Sequence, residues 1–340
     1  MPFFLTPDNA RLWYDDWHPP SPTATDVLFF LHGFTGYRNN WGYEKNGAAW
    51  LLRSRYRCIF LETRGIHASR QAKGPYTIEQ QAKDVVALCD YLEVDKFTYC
   101  GHSMGGGTGF QLAATVPSRL HKMVLLAPMP SNGVPMRDPD PPQTRTHLTH
   151  HYSYPKWEDE KKAMERCVVL SEGRPSDTLS FFQDRARMVT RISQEYWIQV
   201  KECGTSERGV HMYVCIIHTW RCANSSFLCS CCSSCKSQRS IIALRKMDEM
   251  SRCQVPTLII AGATDNLLRA NVADSCNMPD CVLHVSSIAG HETALQDPIG
   301  VSTAIDHFMS GRTLSLKKYR ERVNRVAVER GHGPVPSSKL

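Results

Sequence analysis

A serine, an aspartate and a histidine follow one another along the chain in contexts that suit nucleophilic catalysis. Ser103 is the centre of Gly-His-Ser-Met-Gly, residues 101–105. An aromatic, strand-like run at 96–100 precedes the pentapeptide, and a run typical of a helix start follows it at 106–114. A strand, a tight turn that holds serine between glycines, and a helix form the context of a nucleophile elbow. The pattern therefore predicts that Ser103 is a nucleophile.

A serine nucleophile needs a base and a group that orients the base, because its hydroxyl is almost fully protonated at neutral pH. The apolar run 255–262 is followed by Asp265, and the run 281–285 leads to His291. Both residues are expected in loops at the carboxyl ends of strands, where open α/β sheets gather their chemistry. We predict that Asp265 orients His291 and that His291 takes the proton of Ser103.

An oxyanion site is expected in an earlier loop. The hydrophobic strand 26–31 runs into His-Gly-Phe-Thr-Gly at 32–36. Acyl transfer needs two backbone N–H groups on the developing oxyanion, one directly after the nucleophile and one from such an early loop. The amides of Met104 and Phe34 are the predicted donors, and Gly33 lets the loop turn its amides toward the substrate.

Each of the three side chains also has a purely structural interpretation. Ser103 could cap the following helix, Asp265 could be an ordinary turn residue, and His291 could be a surface histidine. The order of the motifs along the chain favours the catalytic interpretation. His32 and His102 flank the same machinery and are interpreted as residues that shape its loops.

No metal or other cofactor is expected. His147, His150 and His151 lie close together in the sequence, but no carboxylate or cysteine stands at a convincing ligand spacing. A cysteine-rich run also lacks the separated pairs of a zinc site, and a disulfide framework is not expected without a signal peptide. Its cysteines are Cys222, Cys229, Cys231, Cys232 and Cys235. We interpret residues 216–240 as a translated intron or a disordered loop.

Strands alternate with helices along most of the chain, which predicts an α/β protein with a mostly parallel sheet flanked by helices. Further expected elements are a hairpin at 3–6 and 11–17, strands at 57–61 and 122–128, and helices at 76–92 and 177–201. The expected units are a first part of the core, 1–130, a helical cap insertion, 131–250, a second part of the core, 251–311, and a basic helix with a targeting tail, 312–340.

Composition is that of a globular protein, with 340 residues, 42% hydrophobic and 21% charged. No apolar run reaches membrane-spanning length, so no transmembrane segment is expected. The first residues lack the charged and apolar regions of a secretory signal. The net charge of +7 accompanies no nucleic-acid-binding motif, so no nucleic-acid partner is expected.

The motifs together resemble the α/β-hydrolase fold superfamily, in particular its capped serine hydrolases. The matching segments are HGFTG at 32–36, GHSMGG at 101–106, GATD at 262–265 and GHE at 290–292. The resemblance implies an eight-stranded sheet, a helical cap and the roles already given to Ser103, Asp265 and His291. One segment departs from the family pattern, because ETRGIHAS at 62–69 carries His67 where many capped members have glycine.

The resemblance implies cleavage of a carboxylic ester or thioester of a small, hydrophobic acyl substrate through an acyl-serine intermediate. A C–C bond hydrolase or lyase with the same triad, and a non-catalytic binding protein, are the alternatives. Epoxide hydrolases and dehalogenases of this fold use aspartate at the elbow, so Ser103 argues against both.

The last three residues match a targeting signal. Ser338, Lys339 and Leu340 form the tripeptide that a peroxisomal import receptor reads at a free C-terminus. The expectation is cytosolic synthesis and peroxisomal localisation, which makes a fatty acyl substrate plausible. A basic helix at 314–330 precedes the tail and is interpreted as solvated, with contact to an acidic partner or a membrane surface as the alternative.

Overall fold

The computed structural model describes residues 2–20, 26–33, 36–132, 246–265 and 267–313, together with residue 325. Eight strands of this part form one sheet in the order β1-β2-β4-β3-β5-β6-β7-β8. The strands are β1 (Phe3–Leu5), β2 (Arg11–Trp17), β3 (Val27–Leu31), β4 (Arg57–Leu61), β5 (Phe97–His102), β6 (Leu120–Leu126), β7 (Thr257–Gly262) and β8 (Cys281–Ser286).

Strand direction confirms the expected sheet. β1 and β2 form the antiparallel hairpin, and β2 is also antiparallel to β4. From β4 to β8 every neighbouring pair is parallel. The strand order reverses at β3, whose neighbours β4 and β5 lie on opposite sides of it. Ligands of open α/β sheets bind at the carboxyl ends of the strands beside such a reversal.

The central strands are buried on both faces because helices cover both sides of the sheet. In β3, Phe29 and Leu31 join one core cluster, whereas Leu28 and Phe30 join the other. This alternation follows from the period of two in side-chain direction along a strand. Parallel strands that are covered on both faces read as continuous apolar runs, and this makes β3 visible in the sequence.

Seven α-helices occur in the described residues. They are α1 (Ala48–Leu52), α2 (Ile78–Tyr91), α3 (Met104–Thr115), α4 (Met247–Met250), α5 (Leu268–Asn277), α6 (Thr293–Gln296) and α7 (Pro298–Met309). Short 3-10 helices add Arg38–Trp41, His67–Ser69 and Pro117–Arg119. The expected helix at 76–92 is α2, and it begins after Thr77, whose side chain accepts a hydrogen bond from the Gln80 amide as helix caps do.

The expected cap lies almost entirely outside the described residues. The same holds for the helix at 177–201, for residues 216–240, for the tail and, apart from Arg325, for the basic helix. The two stems of the 131–250 segment are described. The Lys246 amide donates a hydrogen bond to the Ser131 carbonyl at 2.9 Å, and the Ser131 amide and hydroxyl both donate to Asp274 on α5.

The described residues contain no helix that is both long enough and apolar enough to span a membrane.

Candidate active site

Ser103 occupies a strained turn between β5 and α3. Its φ of 53° lies in the left-handed region, which non-glycine residues rarely adopt. The turn is tight, because a Cβ on Gly101 would lie 2.3 Å from the Gly105 carbonyl oxygen and one on Gly105 would lie 2.5 Å from the Leu31 carbonyl oxygen. Only glycine at both positions lets the strand and helix approach this closely, and the approach lifts Ser103 to the edge of the sheet.

The structure brings the three predicted side chains together in one chain of hydrogen bonds. Ser103 Oγ lies 2.9 Å from His291 Nε2, and His291 Nδ1 lies 3.0 Å from Asp265 Oδ2. Asp265 follows β7 and His291 follows β8, so three strand ends supply one residue each. Ser103 precedes α3 but makes no capping hydrogen bond, and its hydroxyl contacts the imidazole instead.

The hydrogen bonds assign a role to each ring nitrogen of His291. A carboxylate only accepts, so the proton lies on Nδ1 and donates to Asp265. The lone pair of Nε2 then accepts the Ser103 hydroxyl, as a general base requires. Burial raises the pKa of Asp265, but the charge and hydrogen bond of His291 outweigh it and hold that pKa below its usual range. Asp265 is therefore a carboxylate at neutral pH.

The site is shielded from water even within the described residues. Ser103 is 6% exposed, and Asp265 and His291 are each 8% exposed. Electrostatic interactions between these groups are stronger in such surroundings than in water.

One of the two predicted oxyanion donors is described. Met104 is the first residue of α3, so its N–H has no acceptor within the helix and lies at the positive end of the helix dipole. Phe34 lies outside the described residues. The described residues before and after it are joined by a hydrogen bond, which the Gly36 amide donates to the Gly33 carbonyl at 3.0 Å.

His32 and His102 hold the surrounding loops, as the sequence indicated. His32 Nε2 accepts the Thr63 amide at 3.1 Å, so its proton lies on Nδ1 and donates to the Gly33 carbonyl at 2.8 Å; the bond at one ring nitrogen thus sets the tautomer at the other. His102 Nε2 lies 2.9 Å from the His291 carbonyl oxygen, to which it donates. The nucleophile turn is thereby fastened to the loop that carries the base.

Two buried residues beside the site were not predicted from the sequence. Asn40 is 2% exposed and Glu292 is 3% exposed, and Asn40 Nδ2 donates to Glu292 Oε2 at 2.9 Å. Glu292 directly follows His291 in the GHE motif, which is a signal that its carboxylate lies near the site. Nothing local to Asn40 indicates its partner.

The loop that departs from the family pattern is built around a buried carboxylate. Glu62 accepts hydrogen bonds from Arg38 at 2.7 Å, from His67 Nδ1 at 2.9 Å and from the Ala68 amide at 2.9 Å. His67 has a φ of 40°, the left-handed conformation for which glycine is favoured. Burial raises the pKa of Glu62, but the hydrogen bond and charge of His67 and the charge of Arg38 outweigh it, so the pKa is lowered.

In the described ranges no cluster of three or more His, Cys, Asp or Glu side chains has the arrangement of a metal site. The histidines at 147, 150 and 151 and the cysteine-rich run lie outside those ranges.

Comparison with known families agrees with the fold described above. A sequence model of the alpha/beta hydrolase fold matches residues 26–160. Two solved structures that superpose with a TM-score of 0.65 are an enol-lactonase from Burkholderia xenovorans, 16% identical, and a meta-cleavage product hydrolase from Pseudomonas fluorescens, 17% identical. The superpositions cover 91% and 92% of this chain and 100% and 98% of those chains.

Two curated relatives align with this chain over different shares of its length. 3-Oxoadipate enol-lactonase 2 of Acinetobacter baylyi is 24% identical over 76% of this chain and 80% of its own length. A bifunctional esterase/perhydrolase of Acinetobacter calcoaceticus is 29% identical, but the alignment spans only 38% of this chain and 45% of that protein.

Proposed function

Because this chain has the α/β-hydrolase fold, we propose that it is a serine hydrolase that cleaves a carboxylic ester or thioester through an acyl-serine intermediate. The observation that carries the proposal is the hydrogen-bonded chain from Ser103 through His291 to Asp265, with distances of 2.9 Å and 3.0 Å. Both contacts have the length and order that nucleophilic catalysis by serine requires.

The first half of the reaction acylates the serine. His291 Nε2 takes the proton of the Ser103 hydroxyl as its oxygen attacks the substrate carbonyl carbon. The carbonyl electrons move to the oxygen, which the Met104 amide and a second amide, proposed to be that of Phe34, stabilise by hydrogen bonds. The tetrahedral intermediate then collapses, and the leaving alcohol or thiol takes the proton from His291.

The second half releases the acid. Water gives a proton to His291 Nε2 and attacks the acyl carbon. Collapse of the second tetrahedral intermediate breaks the bond to Ser103, whose oxygen regains the proton. Asp265 keeps its negative charge throughout and stabilises the imidazolium formed in each half, in keeping with its lowered pKa.

The relatives support the ester class. The names enol-lactonase and esterase describe cleavage of cyclic and open esters. A hydrophobic acyl group is proposed for this chain, and a fatty acyl group would suit a peroxisomal enzyme. The meta-cleavage product hydrolase shares only the fold at this level of identity, so C–C bond hydrolysis stands as an outcome of the test.

The test is labelling of purified protein with a fluorophosphonate, which phosphonylates an activated serine. We expect the wild-type protein to be labelled and Ser103→Ala not to be, with both proteins folded by circular dichroism. Ser131→Ala is the matched control, because Ser131 is also buried but contacts Asp274 rather than an imidazole. Equal labelling of Ser103→Ala and wild type would overturn the proposal.

A substrate series then separates the reaction classes. p-Nitrophenyl esters and acyl thioesters of increasing chain length are assayed beside a vinylogous 1,5-diketone. Turnover of esters or thioesters that is lost in Ser103→Ala supports the proposal. Turnover of the diketone alone would assign the triad to C–C bond cleavage, and labelling without turnover of any of these would favour a binding protein.

A further inference from the structure

Three loops meet at the carboxyl ends of β3, β5 and β8, and their relative placement determines the catalytic geometry. One carries the expected oxyanion amide, the second carries Ser103 and the third carries His291. Catalytic groups have to be held within about 0.5 Å of their productive positions, so these loops have to be fixed against each other. The triad itself joins only the second and third loops.

Asn40 reaches from the first loop to the third. It lies in the 3-10 helix Arg38–Trp41, directly after the expected oxyanion loop. Its Oδ1 accepts the Tyr37 amide at 2.8 Å, and a Cβ on Gly36 would lie 2.7 Å from the same oxygen. The amide group is therefore packed against the end of that loop. The other half of the amide, Nδ2, donates to Glu292.

Glu292 fixes the other end of this connection. It follows His291 directly, and its carbonyl accepts the amides of Leu295 and Gln296 at 3.0 Å, at the start of α6. Its carboxylate lies 3.9 Å from His102 Nε2, the atom that donates to the His291 carbonyl. The Glu292 carboxylate thus lies beside the backbone of the base and beside the residue that precedes the nucleophile.

We propose that Asn40 and Glu292 are positioning residues, which hold the oxyanion loop at a fixed distance from His291 through their buried hydrogen bond. The proposal rests on the serine hydrolase function given above and adds two residues that lie outside the triad. Both groups are almost fully buried, so a lost partner is not replaced by bulk water.

A swap of donor and acceptor tests this contact. Asn40→Asp keeps the size of the side chain and its bond to the Tyr37 amide, but places a second carboxylate against Glu292. Glu292→Gln leaves an acceptor for Asn40. In the double variant, the aspartate at position 40 accepts from the glutamine amide at position 292, so the hydrogen bond returns with its direction reversed.

We expect Asn40→Asp to lower kcat and kcat/KM together by roughly 10- to 100-fold, because the oxyanion contact is made in the transition state. KM changes little. Glu292→Gln stays within about tenfold of wild type, and the double variant recovers most of the loss. Asn39→Asp is the matched control, since Asn39 is the neighbouring residue and its side-chain amide donates to Tyr37 and Glu44 instead.

Two outcomes would overturn the proposal. The first is that Asn40→Asp has the same kcat as the control Asn39→Asp. The second is that the double variant folds but is no more active than Asn40→Asp. If Asn40→Asp does not fold, the double variant alone decides: a kcat within about tenfold of wild type supports the proposal, and a kcat far below that range overturns it.

Thermal unfolding tests the Asn40–Glu292 contact separately from the serine hydrolase activity. A Tm that falls in Asn40→Asp and returns in the double variant establishes the contact without any assay of activity. Failure of the fluorophosphonate to label the wild-type protein would contradict the serine hydrolase instead.

Discussion

Ser103, with a φ of 53°, and His67, with a φ of 40°, both have left-handed backbone without being glycine. Each such residue costs on the order of 1–3 kcal/mol and persists only where its surroundings hold it. The elbow holds Ser103, and the strain presents its hydroxyl to His291. At His67 the hydrogen bond from the imidazole to the buried Glu62 carboxylate offsets the strain, and glycine at this position could not make that bond.

The Glu62 contact predicts a change in acid stability at His67. The lowered pKa of Glu62 means that its contribution to stability is present above the ordinary pKa of the group, 4.5, and is lost as the pH falls below that value. His67→Asn tolerates the left-handed backbone but removes the positive charge. The unfolding free energy of both proteins should fall as the pH is lowered from about 5 to about 3.5. We expect this fall to be about 1 kcal/mol smaller in the variant than in wild type, as measured by urea denaturation at each pH.

His18→Asn is the matched control for this prediction. His18 also contacts a carboxylate, Asp16 at 3.2 Å, but its side chain is 67% exposed. The His18→Asn substitution should leave the pH dependence of the unfolding free energy unchanged, since exposed ion pairs contribute little. An identical pH dependence in His67→Asn and wild type would contradict the role given to the Glu62 pair.

At the residue scale, the sequence predicts what a motif encodes and misses what only folding brings together. The triad residues follow strands in a fixed order, so their meeting could be predicted from runs of apolar residues. Asn40 and Glu292 are 252 positions apart. Their hydrogen bond has no local pattern, because it depends on β3 and β8 ending on the same side of the sheet, where the segments that follow them meet.

At the scale of elements, the predicted strands agree with the observed ones to within about two residues. β2 and β4 have the expected bounds, and β6, Leu120–Leu126, begins and ends slightly before the expected 122–128. The central strands β3 and β7 are identifiable because burial on both faces demands uninterrupted apolar runs. The short 3-10 helices were not predicted, since such short runs give no periodicity.

A buried ion-pair cluster joins elements that sequence patterns treat as independent. Arg64, after β4, makes two hydrogen bonds to Asp84 on α2 and two to Asp8 in the β1–β2 turn, with lengths of 2.7 to 2.8 Å. Its side chain and that of Asp84 are each only 3% exposed. The cluster therefore fastens the N-terminal hairpin and α2 to the loop that holds Glu62.

Arg64→Met should cost roughly 3–5 kcal/mol of unfolding free energy, because it leaves the buried Asp84 carboxylate without its partner. Urea denaturation at neutral pH measures the loss. Arg55→Met is the control, since Arg55 pairs with Asp306 but its side chain is 53% exposed, and roughly 0–1 kcal/mol is expected. Similar losses in both variants would show that burial of the Arg64 cluster does not determine its contribution.

At the scale of the whole molecule, the unassigned parts are the basic region and the tripeptide Ser338-Lys339-Leu340. We propose that this tripeptide directs import into peroxisomes. A fluorescent protein fused before residue 1 should accumulate in peroxisomes of cultured eukaryotic cells. The same fusion without the last three residues should spread through the cytosol, and Leu340→Asp should behave like the deletion.

A diffuse signal from the complete fusion would contradict the targeting proposal and leave the serine chemistry untouched. It would also remove the argument for a fatty acyl substrate, since that argument rests on location alone.

The hydrogen bond between Ser131 and Lys246 has a consequence for how this gene product varies. Both ends of the intervening segment are fastened to the same place, beside Asp274 on α5, so chain can be added or removed between them without moving either end. Splice forms and descendants that differ in residues 216–240 would inherit the same triad. Changes in the length of the chain between Ser131 and Lys246 can therefore leave the triad in place.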